Sequence, residues 1–407
     1  MTIASDHRPP SSCNVSEDIG AAVVSSGPAA LTRSLRSWFL ASWLGRHPEV
    51  WVGLVLFATS HLFISTFATF ARWHFHAKYY RQADFCGWDC GWFRSVVDEG
   101  YDLVPHRQEN GTKANWSFFP LFPLSAVPLK WLRMRTTRTA LVYASKFELY
   151  AAIVCFLLML RSQLRDLSEY FIAGALVAFN PYIVYAHAGY SEPLYFAFAA
   201  LAFYLLDQER WISSGLAAAL LSATRLVGCV FSLAYLVACV QKLGICRLWR
   251  ERDVSVLLGL LLCPLGLAVY MLYLYHHVGD ALAPVHIQLG WNRVPTNPLH
   301  VIVQGLHHEG WPRMWVLIAL AGLAAAAWLM KKRRTDLGVY LAAAILIPLS
   351  ADLTGFPRYF WWQPPVLYAI FCLLKRHRSW SIVYFAFSGG MASYVIVLWF
   401  SGSNVVT

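Results

Sequence analysis

The sequence predicts an all-α, polytopic integral membrane protein. Of its 407 residues, 58% are hydrophobic and only 14% are charged, a balance that is unusual for a soluble enzyme. Long apolar segments recur from residue 50 to residue 400, and at about 20 residues for each crossing they supply material for about ten transmembrane helices. The polar segments are too short for a disordered chain, and the nine cysteines are too scattered for a disulfide scaffold.

The basic residues are distributed as topology signals. The net charge of +11 comes largely from short Lys/Arg tracts between apolar segments, which favours membrane orientation over nucleic-acid binding as their role. Residues 1–49 are polar and show no cleavable signal peptide. Because this segment carries several arginines before the first apolar run, we expect a disordered tail on the cytosolic side.

Lys and Arg counts in the loops fix the predicted topology. Alternate loops hold fourteen Lys and Arg residues, whereas the intervening loops hold four, and the richer side is cytosolic. This orientation requires residues 118–132 not to cross and the apolar run 211–240 to be a hairpin broken near Arg225. Residues 72–138 and 276–313 then form two large extracytoplasmic loops. The predicted spans are 50–71, 139–160, 169–187, 193–206, 211–224, 226–241, 254–275, 314–330, 337–351, 360–374 and 380–400.

The first group of candidate functional residues lies in the first extracytoplasmic loop. Trp88, Asp89 and Trp92 fit a short interfacial helix whose aromatic side chains lie at the headgroup level. A partly shielded carboxylate there can act as a general base towards a hydroxyl. A solvated interfacial helix without catalytic function explains the same pattern, and both interpretations stay open.

The second group surrounds a short turn before the predicted span 193–206. Tyr190, Ser191 and Glu192 close this turn, and Pro181 lies inside the predicted span 169–187. If Glu192 faced Asp89, the two carboxylates would form a polar pocket. Alternatively, Glu192 is simply an acidic residue favoured by the dipole at a helix N-terminus.

The third group lies in the second extracytoplasmic loop, which begins near Asp280. Gln288, Trp291 and Asn292 are spaced as i, i+3 and i+4, so one side of a short helix would present amide and indole groups. Such groups suit sugar hydroxyls and pyranose faces. They also cap and pack ordinary loops, which is the alternative.

Three arginines lie at predicted bilayer edges, namely Arg225, Arg293 and Arg358. A guanidinium at that depth can bind a phosphate bidentately while a lipid chain stays in the membrane. The alternative is that each arginine is an anchor that extends towards the headgroups.

We expect no metal site and no disulfide in these loops. Six histidines lie in residues 276–313, but they form no metal-binding pattern. Cys86 and Cys90 are four residues apart, and on one helix their geometry would suit a disulfide poorly.

Taken in order, these motifs resemble the PIG-V type family, which comprises the second mannosyltransferase of glycosylphosphatidylinositol anchor synthesis and its bacterial relatives. The resemblance covers most of the chain. It depends on Trp88-Asp89 with Gly100-Tyr101, Phe118 to Pro123, Asn180-Pro181, Tyr190 to Glu192, Gly279-Asp280, and Gln288 with Trp291 and Arg293.

The resemblance implies a GT-C class membrane glycosyltransferase that takes mannose from a polyprenyl-phosphate donor at the extracytoplasmic face. Residues 50–402 would then be one GT-C-like catalytic domain, with no soluble domain after the last helix. Asp89 would be the base and Glu192 a second acid that orients the acceptor. Trp88, Trp92, Tyr190, Ser191, Asp280, Gln288, Trp291 and Arg293 would bind substrate, and Arg225 and Arg358 the lipid phosphate.

The resemblance leaves the acceptor and the membrane open. The eukaryotic members tend to have His at the position of Trp92. The resemblance therefore does not imply an anchor precursor as the acceptor, and the expected acceptor is a lipid-linked or cell-envelope glycan. The membrane would be the inner membrane of a bacterium or the endoplasmic reticulum of a eukaryote. No cofactor beyond the lipid-linked sugar and no nucleic acid are expected. The competing hypothesis is a transporter or flippase of lipid-linked sugars, although the ionisable residues gather at one edge rather than at mid-membrane.

Overall fold

The computed structural model describes residues 43–75, 82–107, 111–132, 136–244, 253–351, 353 and 355–402. The chain forms two units, residues 1–51 and 52–407. In the first unit, the described part is a single helical turn at Trp43–Arg46 followed by the start of a helix at Pro48. Residues 1–42 lie outside the described residues, so the cytosolic tail stays a prediction.

The regular structure of the described residues is helical, as the sequence predicts. One isolated bridge, between Arg107 and Lys113, is the only β contact among them. The α-helices are α1 (Pro48–Phe75), α2 (Asp89–Glu99), α3 (Leu121–Trp131), α4 (Thr137–Leu160), α5 (Leu167–Ala178), α6 (Glu192–Asp207), α7 (Trp211–Ser222), α8 (Phe231–Leu243), α9 (Val254–Leu262), α10 (Leu265–Val278), α11 (Ala283–His286), α12 (Pro298–His307), α13 (Trp311–Lys331), α14 (Thr335–Leu349), α15 (Phe356–Trp361), α16 (Pro364–Arg376) and α17 (Trp380–Phe400). Five short 3₁₀ turns connect them, at Gln82–Phe85, Asn115–Ser117, Ile183–His187, Leu226–Val230 and Ile287–Trp291.

Five helical segments of the described chain are long and apolar enough to cross a membrane. They are Pro48–His74, Thr137–Leu160, Leu226–Leu243, Trp311–Lys331 and Trp380–Phe400. The pair α9 and α10, bent by 46° at its break, would make a sixth. Three further apolar helices, α5, α7 and α14, are shorter. The structure therefore has the apolar helices of an integral membrane protein, but the predicted eleven crossings and their orientation are not confirmed.

The predicted break near Arg225 is present. Helix α7 ends at Ser222, Arg225 is extended, and the next turn begins at Leu226. Gly228 makes this sharp connection possible, because a Cβ there would lie 2.4 Å from the carbonyl oxygen of Leu221. The break brings Arg225 out of the helix and close to the start of α6.

The prediction of one continuous helix over residues 169–187 is wrong. Helix α5 ends at Ala178, because the Asn180 amide donates to the Val177 carbonyl at 3.0 Å while its oxygen accepts from the Tyr182 N–H at 2.9 Å. Pro181 thus follows the helix instead of interrupting it. Residues 179–191 form a largely buried connection, which includes the 3₁₀ turn Ile183–His187 and leads to α6.

Two other predicted spans are also divided. Residues 254–275 form α9 and α10, with the break at Cys263 and Pro264. Residues 360–374 include the end of α15 and most of α16, since Pro364 begins a new helix. In each case a proline lies where one helix ends and the next begins, within an apolar run that looks continuous by hydropathy alone.

Ion pairs join the helix ends remote from the site described below. Arg334, which precedes α14, contacts Asp207 at 3.2 Å and Asp336 at 3.0 Å. Lys375 of α16 contacts Glu169 of α5 at 3.0 Å. These pairs hold the N-terminal ends of α14 and α5 against the C-terminal ends of α6 and α16.

Candidate active site with two acids and three arginines

Asp89 is the first residue of α2, and the turn before it is tightly constrained. Trp88 has φ of +43°, a left-handed backbone that is uncommon for a bulky residue. The Asp89 N–H donates to the Tyr190 hydroxyl at 3.0 Å. The Asp89 carboxylate remains 29% exposed, so another molecule can reach it.

Cys86 and Cys90 form a disulfide on either side of Trp88 and Asp89, which corrects the sequence-based expectation. That expectation placed both cysteines on one helix. In the structure α2 begins only at Asp89, so Cys86 lies before the helix and the turn at Trp88 brings it back to Cys90.

Glu192 lies at the start of α6 and is fully buried. Arg225 donates to the Glu192 Oε1 atom through Nη2 at 2.5 Å and to the Ser191 hydroxyl through Nε at 3.2 Å. The helix-dipole explanation of Glu192 therefore applies together with a specific pairing. The break after α7 provides the cation that Glu192 requires in an apolar interior.

Arg358 connects the two carboxylates. Its Nη1 atom donates to Asp89 Oδ2 at 2.7 Å, and its Nε atom lies 3.8 Å from Glu192 Oε1. Its side chain is only 6% exposed, so it is a buried pairing residue rather than an anchor in the headgroups. Asp89, Glu192, Arg225 and Arg358 thus form one cluster, which we call the acid–arginine cluster.

This cluster contains buried polar atoms without hydrogen-bond partners. Among the described residues, Nε of Arg358 donates no hydrogen bond and Oε2 of Glu192 accepts none. Native proteins satisfy most of their buried polar groups. In this site Nε of Arg358 could donate to an acceptor of a ligand, and Oε2 of Glu192 could accept from a hydroxyl.

Tyr359, which the sequence analysis missed, lies among the arginines. Its hydroxyl accepts from Nη2 of Arg358 at 3.0 Å, and the guanidinium carbon of Arg225 lies 5.2 Å from its ring centre. Burial alone would raise the pKa of Tyr359, but the positive charges of Arg358, Arg293 and Arg225 lower it below its ordinary value. The one available signal was its position next to Arg358.

Arg293 joins the cluster to the second predicted loop. Its Nη1 atom donates to the Gln288 side-chain oxygen at 3.1 Å, and the Gln288 amide donates to the Ser117 hydroxyl at 2.9 Å. Its charge acts on Tyr359. All three predicted arginines therefore converge on one region, although they lie 65 or more residues apart in sequence.

The predicted tryptophans of the two loops lie in aromatic contacts. Trp92 stacks on Phe118 with ring centres 5.5 Å apart, and Trp291 meets Trp92 edge-on at 5.4 Å. Trp88 instead packs against Trp399, with ring centres 4.5 Å apart. Trp92 and Trp291 thus pack together near the start of α2, whereas Trp88 packs against the last helix.

The short helix predicted in the second loop is a 3₁₀ turn at residues 287–291, and Asn292 follows it in a left-handed conformation. Gln288 and Trp291, at i and i+3, lie on one side of this turn, whereas Asn292 lies beyond it. Asp280 pairs with His286 at 2.7 Å, and no contact joins it to the acid–arginine cluster among the described residues. Gln288 holds Arg293 and Ser117 instead of presenting a free amide.

A metal site has no support from the described residues, where no three His, Cys, Asp or Glu side chains are grouped closely enough to hold an ion. The two acids of the site are paired with arginines. The expectation that no metal takes part stays a prediction.

No family model and no curated protein matches the chain, so the resemblance to the PIG-V type family stays a prediction. Among solved structures, the chain is similar to the archaeal oligosaccharyltransferase AglB from Archaeoglobus fulgidus in complex with an inhibitory peptide and a dolichol-phosphate. The identity is 12% and the TM-score 0.47, over 89% of this chain and 56% of that one.

Two further structures of the oligosaccharyltransferase from the same organism are similar at 12% identity. The complex with zinc and sulfate has a TM-score of 0.44, over 86% of this chain and 53% of that one. The apo form has a TM-score of 0.45, over 87% and 55%. This chain spans little more than half the length of these proteins. A similarity of this size establishes neither a shared fold nor a shared activity.

Proposed function

We propose that this protein is an inverting membrane glycosyltransferase that transfers a sugar from a polyprenyl-phosphate donor to a glycan hydroxyl. The observation that carries the proposal is the acid–arginine cluster. It gathers a reachable carboxylate, a buried carboxylate and two arginines from four separate parts of the chain. Such a cluster offers a general base and an anion site at adjacent positions.

The charge of the site suits a lipid-phosphate donor. Together with Arg293, which acts on Tyr359 beside the cluster, the site contains three guanidinium groups and two carboxylates, which leaves one net positive charge. A sugar phosphodiester carries one negative charge and would neutralise it. Because the sugar–phosphate bond then breaks to release a phosphate monoester, the ligand gains a negative charge while Asp89 gains a proton. The site and its ligand therefore carry no net charge either before or after the transfer, since the transferred sugar is itself uncharged.

Asp89 is suited to the base and Glu192 to support. Asp89 is partly exposed, whereas Glu192 has no exposed side-chain surface. In the proposed step, Asp89 takes the proton of the acceptor hydroxyl as its oxygen bonds to the anomeric carbon. The carbon–oxygen bond to the phosphate breaks, and its electron pair leaves with the phosphate. Attack from the face opposite the phosphate inverts the anomeric configuration.

Arg225 and Arg358 would stabilise the leaving phosphate, since their guanidinium groups are placed and charged before the reaction begins. Glu192 would orient both arginines through the contacts described above. Trp92 and Trp291 are proposed to line the acceptor site beside Asp89, with Tyr190 and Ser191 holding the turn. Mannose as the sugar, and a lipid-linked or cell-envelope glycan as the acceptor, follow from the resemblance to the PIG-V type family.

The direct test is to incubate the purified protein with labelled polyprenyl-phosphate mannose, with the glucose analogue, and with a crude glycolipid acceptor. We expect labelled sugar to leave the mannosyl lipid. Asp89→Asn should abolish transfer while the protein stays folded in detergent. Glu99→Gln, an exposed acid of the same helix that pairs with Arg107, is the matched control and should retain activity.

Two outcomes would contradict the proposal. Near-normal transfer by Asp89→Asn would exclude this residue as the base. No release of sugar from either lipid, combined with movement of the intact lipid across reconstituted vesicles, would favour the flippase hypothesis.

A further inference from the structure

We infer that Tyr359 is a direct ligand of the donor phosphate and donates its phenolic hydrogen to a phosphate oxygen. This inference rests on the proposed function, because it specifies how the lipid phosphate is held in that site. It adds a residue that neither the sequence motifs nor the acid–arginine cluster includes.

Tyr359 lies between the two arginines proposed to bind the phosphate. Tyr359 lies in α15 directly after Arg358, and the guanidinium carbon of Arg358 is 5.0 Å from its ring centre. Arg225 approaches the same ring at 5.2 Å. An anion that contacted both guanidinium groups would therefore lie beside this tyrosine.

The hydroxyl of Tyr359 has a hydrogen that it does not donate. The Tyr359 hydroxyl accepts a hydrogen bond from Arg358, and among the described residues its own hydrogen has no acceptor. The neighbouring Nε of Arg358 also lacks a hydrogen bond there. Arginines can only donate, so a phosphate oxygen that receives both donors would satisfy the two groups together.

The charges around Tyr359 make its hydroxyl a better hydrogen-bond donor. The charged groups that act on Tyr359 are Arg358, Arg293, Arg225 and Asp89, and the three cations prevail, so its pKa lies below the ordinary value. A more acidic phenol makes a stronger hydrogen bond to an anion. Once ionised, however, it would repel a phosphate, so binding should weaken as the pH rises.

The test measures binding of a ten-carbon prenyl phosphate to the protein in detergent by calorimetry. Inorganic phosphate and the corresponding prenol without phosphate are the comparison probes. Tyr359→Phe removes only the hydroxyl and keeps the ring beside the arginines. Tyr368→Phe is the matched control, because its hydroxyl also accepts one side-chain N–H and its ring also lies beside an arginine, Arg334, at 5.4 Å.

We expect the prenyl phosphate to bind the wild type and Tyr368→Phe equally, and Tyr359→Phe at least tenfold more weakly, equal to about 1.4 kcal/mol. The pH profile separates contact from packing. Between about pH 8 and about pH 10, where the phosphate is already dianionic, wild-type affinity should fall, whereas that of Tyr359→Phe should change less.

Each other result has a defined meaning. Equal binding by Tyr359→Phe and the wild type, or identical pH profiles, would overturn the role of Tyr359 and leave the proposed function intact. Equal binding of the prenol would exclude a phosphate contact. Equal binding of inorganic phosphate would replace the lipid phosphate by free phosphate, and no binding of any probe to the wild type would refute the proposed function together with this inference.

Discussion

Replacing Arg358 by alanine tests the acid–arginine cluster most directly. Arg358 contacts Asp89 at 2.7 Å and approaches Glu192 at 3.8 Å from a buried position. Removing one partner of a buried ion pair costs about 3–5 kcal/mol. Because Arg225 still pairs with Glu192 and Asp89 is partly exposed, the loss of stability should lie near the lower end of that range.

The effect on the donor has its own magnitude. A hydrogen bond to a charged group contributes about 1.5–3 kcal/mol, so losing the contact with the phosphate should lower kcat/KM for the donor by roughly 10- to 100-fold. The acceptor contacts neither phosphate nor Arg358 in the proposed arrangement. We therefore expect the KM of the acceptor to change little.

The assay is steady-state transfer with donor and acceptor varied in turn, together with thermal unfolding in detergent. Arg334→Ala is the control, since Arg334 also pairs with two acids, Asp207 and Asp336, at the remote end of α14. It should lower stability and leave the donor KM unchanged. If both variants changed the donor KM equally, or if Arg358→Ala changed only stability, Arg358 would be a structural residue and not a phosphate ligand.

Two further predictions concern the turn that holds Asp89. Opening the Cys86–Cys90 disulfide with a reductant should reduce kcat by up to about 100-fold, because a small displacement of the base suffices for such a loss. A Cys86→Ser variant should have a low kcat from the start, and the reductant should not change it. Full activity after reduction would contradict this role of the disulfide. Gly189→Ala should lower stability by about 1–3 kcal/mol in thermal unfolding, because Gly189 has φ of +74° and an added Cβ would lie 2.6 Å from the Cys90 sulfur. Gly279→Ala shares the positive φ without a contact within 4 Å, so an equal loss there would show that the crowding at Cys90 is unimportant.

Hydropathy predicted helices well where an apolar run and a helix coincide. The predicted span 139–160 is α4, Thr137–Leu160, and the predicted span 380–400 is α17. It failed over 169–187, because the apolar run continues after the helix has ended at Ala178. A window average does not register that one Asn side chain takes over the backbone hydrogen bonds there.

The site was predictable where charge was the signal. An arginine in an apolar run is costly, so Arg225 predicted a helix break and a position at the bilayer edge. Tyr359 carried no such signal, since an aromatic residue beside Phe360 and Trp361 reads as part of a span. The Cys86–Cys90 bridge was missed because the spacing argument assumed a helix that begins three residues too early.

Comparing the two buried arginine clusters separates structural from functional pairing. Arg334 donates through Nε and Nη2 to both oxygens of Asp336, and neither residue has an orphaned buried atom among the described residues. Such completeness is what stability favours. Arg358 and Glu192, with the same chemistry and deeper burial, each retain an unsatisfied atom beside a reachable carboxylate. The unpaired Nε of Arg358 is a donor for an anionic ligand, whereas the unpaired Oε2 of Glu192 is an acceptor that a hydroxyl of a sugar would satisfy.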